Sequence, residues 1–239
     1  MKTVLFTFAF AAVSLAAAAQ SQPVVLASAS RPAAAGPAAA PDAFTALMAA
    51  TIAEQNAAKT PADVQANLAK LERAVAAAPA AWEPRYYQAR AYLKLGFAGK
   101  DGDAQDKLFD QAEAALNAAK KLAGADQAEL LIMQAYVNQG RIMVSPMTRG
   151  AVYTGRVQEA LGQAKALAPN NPRVYLLLAN DLFYRPAFFG GGAEKAKPLY
   201  DRAKALFGTF RPATALSPTW GEGNADAALA KINGPAAAK

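Results

Sequence analysis

The chain contains no cysteine and no histidine. The first absence excludes disulfides, thiolate nucleophiles and lipid attachment through an acylated cysteine. The second removes imidazole as a base and as the commonest transition-metal ligand. Together they close the Ser-His-Asp and Cys-His routes and the ordinary zinc sites. No catalytic residue and no metal ligand is therefore assigned, no cofactor is expected, and the chain is not expected to be an enzyme. Paired carboxylates remain for glycoside chemistry, but such a pair would have to converge in a deep pocket. Asp101, Asp103, Asp106 and Asp110 cluster without the glycine and terminal glutamate of a calcium loop. Their expected role is capping and dipole compensation at a helix start.

Charge is also sparse, at 18% of residues, with a net charge of +7 over 239 residues. The basic residues are scattered and not interleaved with aromatics, which argues against nucleic acid as a partner. Their expected role is solubility, with i,i+4 pairs on solvated faces. Val4 to Ala19 is almost wholly apolar, interrupted by Thr7 and Ser14, and follows the basic start Met1-Lys2-Thr3. The run is shorter than the roughly 20 residues of a spanning helix and ends in the small residues Ala17-Ala18-Ala19. It predicts a signal peptide over 1–19, with Ala27-Ser28-Ala29 as a second cleavage site. A periplasmic protein is expected, with secretion as the alternative and no transmembrane span after cleavage. Residues 20–41 are rich in Ala, Pro and Ser and predict a disordered linker.

From residue 42 the pattern is helical throughout, so the expected fold is all-α. Asp42 caps a run in which Phe44, Leu47, Met48 and Ile52 recur at helical spacing. Thr60-Pro61 starts a second helix in the favoured arrangement, cap then proline. Gly96 and Gly140 are read as left-handed helix ends. Residues 141–156 carry Pro146, Gly150 and Gly155 and predict a long ordered loop, often a functional feature in compact domains. A second unusual stretch, 185–192, ends in Gly190-Gly191-Gly192, expected to be a tight turn. Phe188 and Phe189 are expected to plug the interface between the last two helices. Residues 210–221 predict an extended segment with buried-type side chains, and a short final helix follows.

Three segments, starting near Glu83, Gln127 and Arg173, repeat one two-helix unit. Tyr92 and Gly96 precede Ala112, Leu116 and Ala119. Tyr136 and Gly140 precede Val157, Leu161, Ala164 and Pro169. Tyr175, Ala179 and Leu182 precede Ala196, Tyr200 and Ala203. With Pro169-Asn170-Asn171-Pro172 between units, the chain resembles the tetratricopeptide repeat (TPR) superfamily. Through Ser145-Pro146-Met147-Thr148-Arg149-Gly150, Phe189-Gly190-Gly191-Gly192 and Pro218-Thr219-Trp220-Gly221 it also resembles an uncharacterised group of exported bacterial TPR-like proteins. The resemblance implies antiparallel helix pairs stacked as a short α-solenoid over 42–210, about four pairs. A capping segment and tail would occupy 211–239.

Such stacks mostly bind partners in a concave groove lined by the first helix of each pair. The repeat alignment puts Arg90, Gln134 and Asn180 at one inward position, Lys94, Asn138 and Tyr184 one turn later, and Tyr86, Leu130 and Leu176 one turn earlier. The groove residues expected to bind are thus Tyr86, Arg90, Lys94, Gln134, Asn138, Asn180 and Tyr184. Their expected partner is an unknown envelope protein or peptide, its backbone held by the amides and a carboxylate by Arg90, unless Trp220 and its prolines occupy that groove. The alternative is a small molecule or glycan held by the 141–156 and 185–192 loops, through Arg149, Tyr153, Phe188 and Phe189. The protein is expected to be a monomer or to self-associate weakly through the uncapped first helix.

Overall fold

The computed structural model describes residues 42–234, which lie within one compact unit. The signal peptide and linker expected over 1–41, and the final residues 235–239, lie outside the described residues. The architecture is all-α, and the described residues contain no strand. Each helix start is written in local chemistry. Asp42 accepts from the Thr45 amide and opens α1 (Ala43–Ala57). Thr60 and Asp63 exchange side-chain and backbone bonds in a capping box that opens α2 (Pro61–Ala77). Pro84 in its first turn marks α3 (Glu83–Ala98), and Asp101 caps α4 (Gly102–Ala119). Asp126 caps α5 (Gln127–Val144), and Pro146 starts α6 (Pro146–Leu167). Asn171 caps α7 (Pro172–Tyr184). A 3-10 turn at Ala187–Phe189 leads to α8 (Ala193–Thr209), and α9 (Glu222–Asn233) closes the described chain.

The helices pack as consecutive hairpins, α1 with α2, α3 with α4, α5 with α6 and α7 with α8. The first helices also touch in series, α1 to α3 to α5 to α7, and each second helix packs on the next first helix. This gives a solenoid-like stack, with α9 lying on α8. Burial follows the helical period. Leu130, Met133 and Val137 on α5 and Val157, Leu161 and Ala164 on α6 are buried in one continuous core.

Two glycines have a different role from the one expected. Gly96 and Gly140 do not end their helices; both are helical residues, before Ala98 and Val144 respectively. A Cβ at Gly96 would stand 2.4 Å from Phe109 Cε1, and one at Gly140 would stand 2.7 Å from the same atom. The fully buried Phe109 ring of α4 is wedged between two side-chain-free spots on α3 and α5. The glycines are there for close approach, not for a left-handed turn.

The long loop expected over 141–156 is not a loop. Helix α5 runs to Val144 and α6 starts at Pro146, leaving Ser145 as the junction. Proline at the first helical position lacks only a hydrogen that the helix could not have used. Gly150 and Gly155 are then carried inside α6, with open space where a side chain would stand. By contrast, Gly190-Gly191-Gly192 is the tight turn expected. Gly190 and Gly192 have φ of 82° and 120°, and a Cβ on Gly191 would meet the Arg185 carbonyl oxygen at 2.0 Å.

Candidate functional site

The 210–221 segment runs across the face made by the first helices. Thr219 accepts from Asn56 of α1, and the Leu216 carbonyl accepts from the Tyr87 hydroxyl of α3 at 2.9 Å. Trp220 is 5% exposed. Its Nε1 donates to the Tyr86 hydroxyl at 2.9 Å, and its ring stacks on Tyr136 of α5 at 5.6 Å. Gly221 then takes φ of 116°, where a Cβ would collide with Leu176 of α7 and Phe207 of α8 at 2.9 Å. This strap touches each of the four first helices or its hairpin partner.

Beneath the strap lies a buried polar core. Glu129, 2% exposed, takes two bonds from fully buried Arg173, one from Asn171 and one from the Tyr86 hydroxyl. Arg173 Nη1 has no hydrogen-bond partner, but the guanidinium lies over the rings of Phe210 and Trp220, 4.7 and 5.8 Å from their centroids. Burial pushes the Tyr86 phenol well above its ordinary 10.0, so it stays a hydrogen-bond donor.

The polar row beside an apolar row, expected on one open concave face, is divided in the structure. Tyr86, Leu130 and Leu176 are fully buried. Arg90 donates to Gln55 of α1 at 2.6 Å and lies over the Trp220 ring, and burial lowers its basicity. Lys94 donates to the Gln55 and Ala58 carbonyls at the end of α1. Gln134 instead faces α4, accepting from Lys120 and donating to Glu113. Asn180 faces α8 and accepts from Tyr200. The repeat alignment found equivalent positions, but neighbouring hairpins use them in different directions. The strap lies against Tyr86, Tyr87 and Tyr136 of the first helices.

Gln134 and Asn138 do share a surface, an open cleft of about 330 Å³ between α4 and α6 with α5 as its floor. Its lining is Glu113, Leu131, Gln134, Asn138, Arg156, Glu159, Ala160 and Gln163.

The second candidate surface is the edge where first helices end and second helices begin. Met143, Met147 and Val152 are exposed at the α5–α6 junction, and Tyr184, Phe188 and Phe189 after α7. Phe188 and Phe189, 76% and 59% exposed, do not plug the α7–α8 interface as expected. Their rings lie 4.1 Å apart, on the outside of the turn that the three glycines force. Gln158 of α6 donates to Asp181 of α7, which Arg185 also binds. Val152 precedes Gln158 in α6 and Tyr184 follows Asp181 in the antiparallel α7, so both lie toward the same end of the stack. Two cations near these segments differ in use: Arg149 is locked to Asp106 by two bonds of 2.7 Å, whereas Lys195 donates only to the Gly190 carbonyl. Tyr153 lies under the Arg156 guanidinium at 4.9 Å.

The acidic cluster has structural partners. Asp101 caps α4, Asp106 binds both Arg141 and Arg149, and Asp110 binds Arg141. No group of three potential metal-binding side chains occurs among the described residues, and none of their helices is long and apolar enough to cross a membrane.

No family model matches the chain, and no curated protein matches it. The structure is similar to that of the HusA haemophore from Porphyromonas gingivalis. The TM-score is 0.71 at 28% sequence identity, over 80% of this chain and 94% of that one.

Proposed function

We propose that this protein is an exported carrier that binds a flat, largely apolar ligand of the haem class on the edge formed by Met143, Met147, Val152, Tyr184, Phe188 and Phe189. The observation that carries the proposal is the exposure of these large side chains at the α5–α6 junction and just after α7, at the same end of the stack. Large apolar groups held in water at one place mark a binding surface rather than a packing need. The likeness to a haemophore over nearly the whole of that protein supports the ligand class, and the sequence leader supports export. Lys195, without a carboxylate partner among the described residues, supplies a cation for an acidic substituent. The chain has no histidine or cysteine, so neither imidazole nor thiolate holds an iron here. Binding then rests on apolar contact and charge, with the Met143 and Met147 thioethers and the Tyr184 hydroxyl as the exposed groups here whose chemistry suits a metal. A carrier needs no acid–base machinery, in keeping with the absence of both residues. The peptide-in-groove reading is set aside because the strap would first have to leave.

The test is a haem titration of the full chain followed by visible absorbance. Saturable binding is expected, weakened at least tenfold by Phe188→Ala with Phe189→Ala, while the helical circular dichroism is unchanged. Equal affinity in the double variant would remove the edge from consideration.

A further inference from the structure

The chain has five methionines and no cysteine. Met1 lies outside the described residues, and burial sorts the other four into two pairs. Met48 of α1 and Met133 of α5 are fully buried in the core. Met143, in the last turn of α5, and Met147, in the first turn of α6, are 41% and 80% exposed. The core uses methionine as an adaptable apolar filler. At the two exposed positions leucine would supply the same apolar character with the same helix propensity. What methionine adds there is sulfur chemistry: a lone pair in water, able to ligate a metal or to take up an oxygen atom.

With no thiol in the chain, the thioethers are its sulfur groups open to two-electron oxidation. A peroxide has to touch the sulfur to react with it. The folded core seals Met48 and Met133 from such contact, whereas Met147 stands almost wholly in solvent. The reaction is complete with these two partners. The sulfur attacks one peroxide oxygen, the O–O bond breaks and an S–O bond forms. The second oxygen leaves as water with both peroxide hydrogens. The sulfur is oxidised by two electrons and the peroxide is reduced by two. The sulfoxide is polar, and against an apolar ligand its oxygen loses the water that solvated it, which disfavours the contact. Neither side chain belongs to the buried core, so the helix pairs keep their packing.

We propose that Met143 and Met147 form a peroxide-sensitive modification site, and that their conversion to sulfoxides makes the edge release its ligand. The proposal rests on the reading of this edge as the ligand surface. Thiol-dependent sulfoxide reductases reverse the change: two thiols become a disulfide, the oxygen leaves as water, and the thioether returns. The edge thereby carries its own redox control, without a cysteine.

The test treats the full chain with hydrogen peroxide and removes the excess by desalting. One portion is digested and its methionines are followed by mass spectrometry; another is titrated with haem. Oxygen is expected to enter Met147 first and Met143 next, both at least tenfold faster than Met48 and Met133, which should react only in urea. The treated chain should bind haem at least fivefold more weakly than the untreated chain, with unchanged helical circular dichroism. Reductases for both sulfoxide epimers should restore the affinity. Met143→Leu with Met147→Leu is compared only with itself before and after peroxide, and its affinity should not move. A chain that carries both sulfoxides and binds haem as before overturns the proposal. So does equally fast oxidation of Met48 and Met133 in the folded chain, or a loss of affinity that the double variant shares. Failure of the untreated chain to bind haem is a separate result: it removes the edge as the ligand surface, and the switch falls with it.

Discussion

Phe109 shows how much a single residue decides. Its ring occupies the only volume that Gly96 and Gly140 leave open between α3 and α5, and it is fully buried. Gly96→Ala forces a methyl group into a ring that Gly140 prevents from moving away. The expected loss is about 1–3 kcal/mol, as for other overpacked cores. Gly150→Ala is the matching control. That glycine is inside α6 with nothing within 4 Å of the added carbon, so the substitution should stabilise by roughly 0.5–1 kcal/mol through helix propensity alone. Urea unfolding of both variants reads the difference in sign. The glycines were visible in the sequence, but their role was not. A glycine that ends a helix and one that admits a neighbouring ring look alike until the neighbour is placed.

At the scale of the element, the strap is the decisive piece. It has little regular backbone structure before α9, and its order comes from side-chain and backbone contacts with α1, α3, α5, α7 and α8. Trp220 bears most of that contact. Trp220→Ala should cost about 3–5 kcal/mol, the range for removing a buried aromatic side chain. It should also expose the inner face, seen as increased binding of an apolar dye to the still-helical protein. An unchanged melting midpoint would mean that the strap contributes little to the fold. The sequence marks of this element were legible as prolines, Leu216 and Trp220-Gly221 in a segment too short of helical period to be a helix. Its destination was legible only as an alternative, occupation of the groove by Trp220 and its prolines, because the Trp220–Tyr86 bond joins residues 134 positions apart. The junction at Ser145 gives the reverse lesson. Pro146, Gly150 and Gly155 suggested a break, yet the proline starts α6 and packing carries both glycines within it. Tertiary contacts override weak propensities of this size.

At the scale of the whole molecule, the hairpins are linked by ion pairs as well as by packing. Asp106 on α4 accepts from Arg149 on α6 and from Arg141 on α5. The Arg149 hydrogen bonds, with the charges of Arg149 and Arg141, hold the Asp106 carboxyl below its ordinary 3.8. A carboxyl lowered in the folded state stabilises the fold above its unfolded value, and that contribution is lost as pH falls through the folded value. The pair is partly exposed, so its worth at neutral pH is small, about 1 kcal/mol or less. Arg149→Gln should therefore lower the melting temperature slightly at pH 7. The gap to the unmodified protein should close as the pH drops below 3.8. A constant gap across that range would show that Arg149 acts through packing rather than charge.

The all-α class, the helix starts at Asp42, Thr60, Asp101 and Asp126, and the pairing of helices into hairpins were all decided locally. Caps, prolines and a period of 3.6 act within one or two turns, and sequence records such effects directly. The candidate surfaces were decided elsewhere. Which way Arg90, Gln134 and Asn180 point depends on the rotation of each hairpin against the last. Whether the inner face is open depends on a strap that folds back from the far end of the chain. The exposure of Phe188 and Phe189 depends on the turn made by Gly190, Gly191 and Gly192. These are contacts between residues distant in the chain, and only packing of the whole stack sets them.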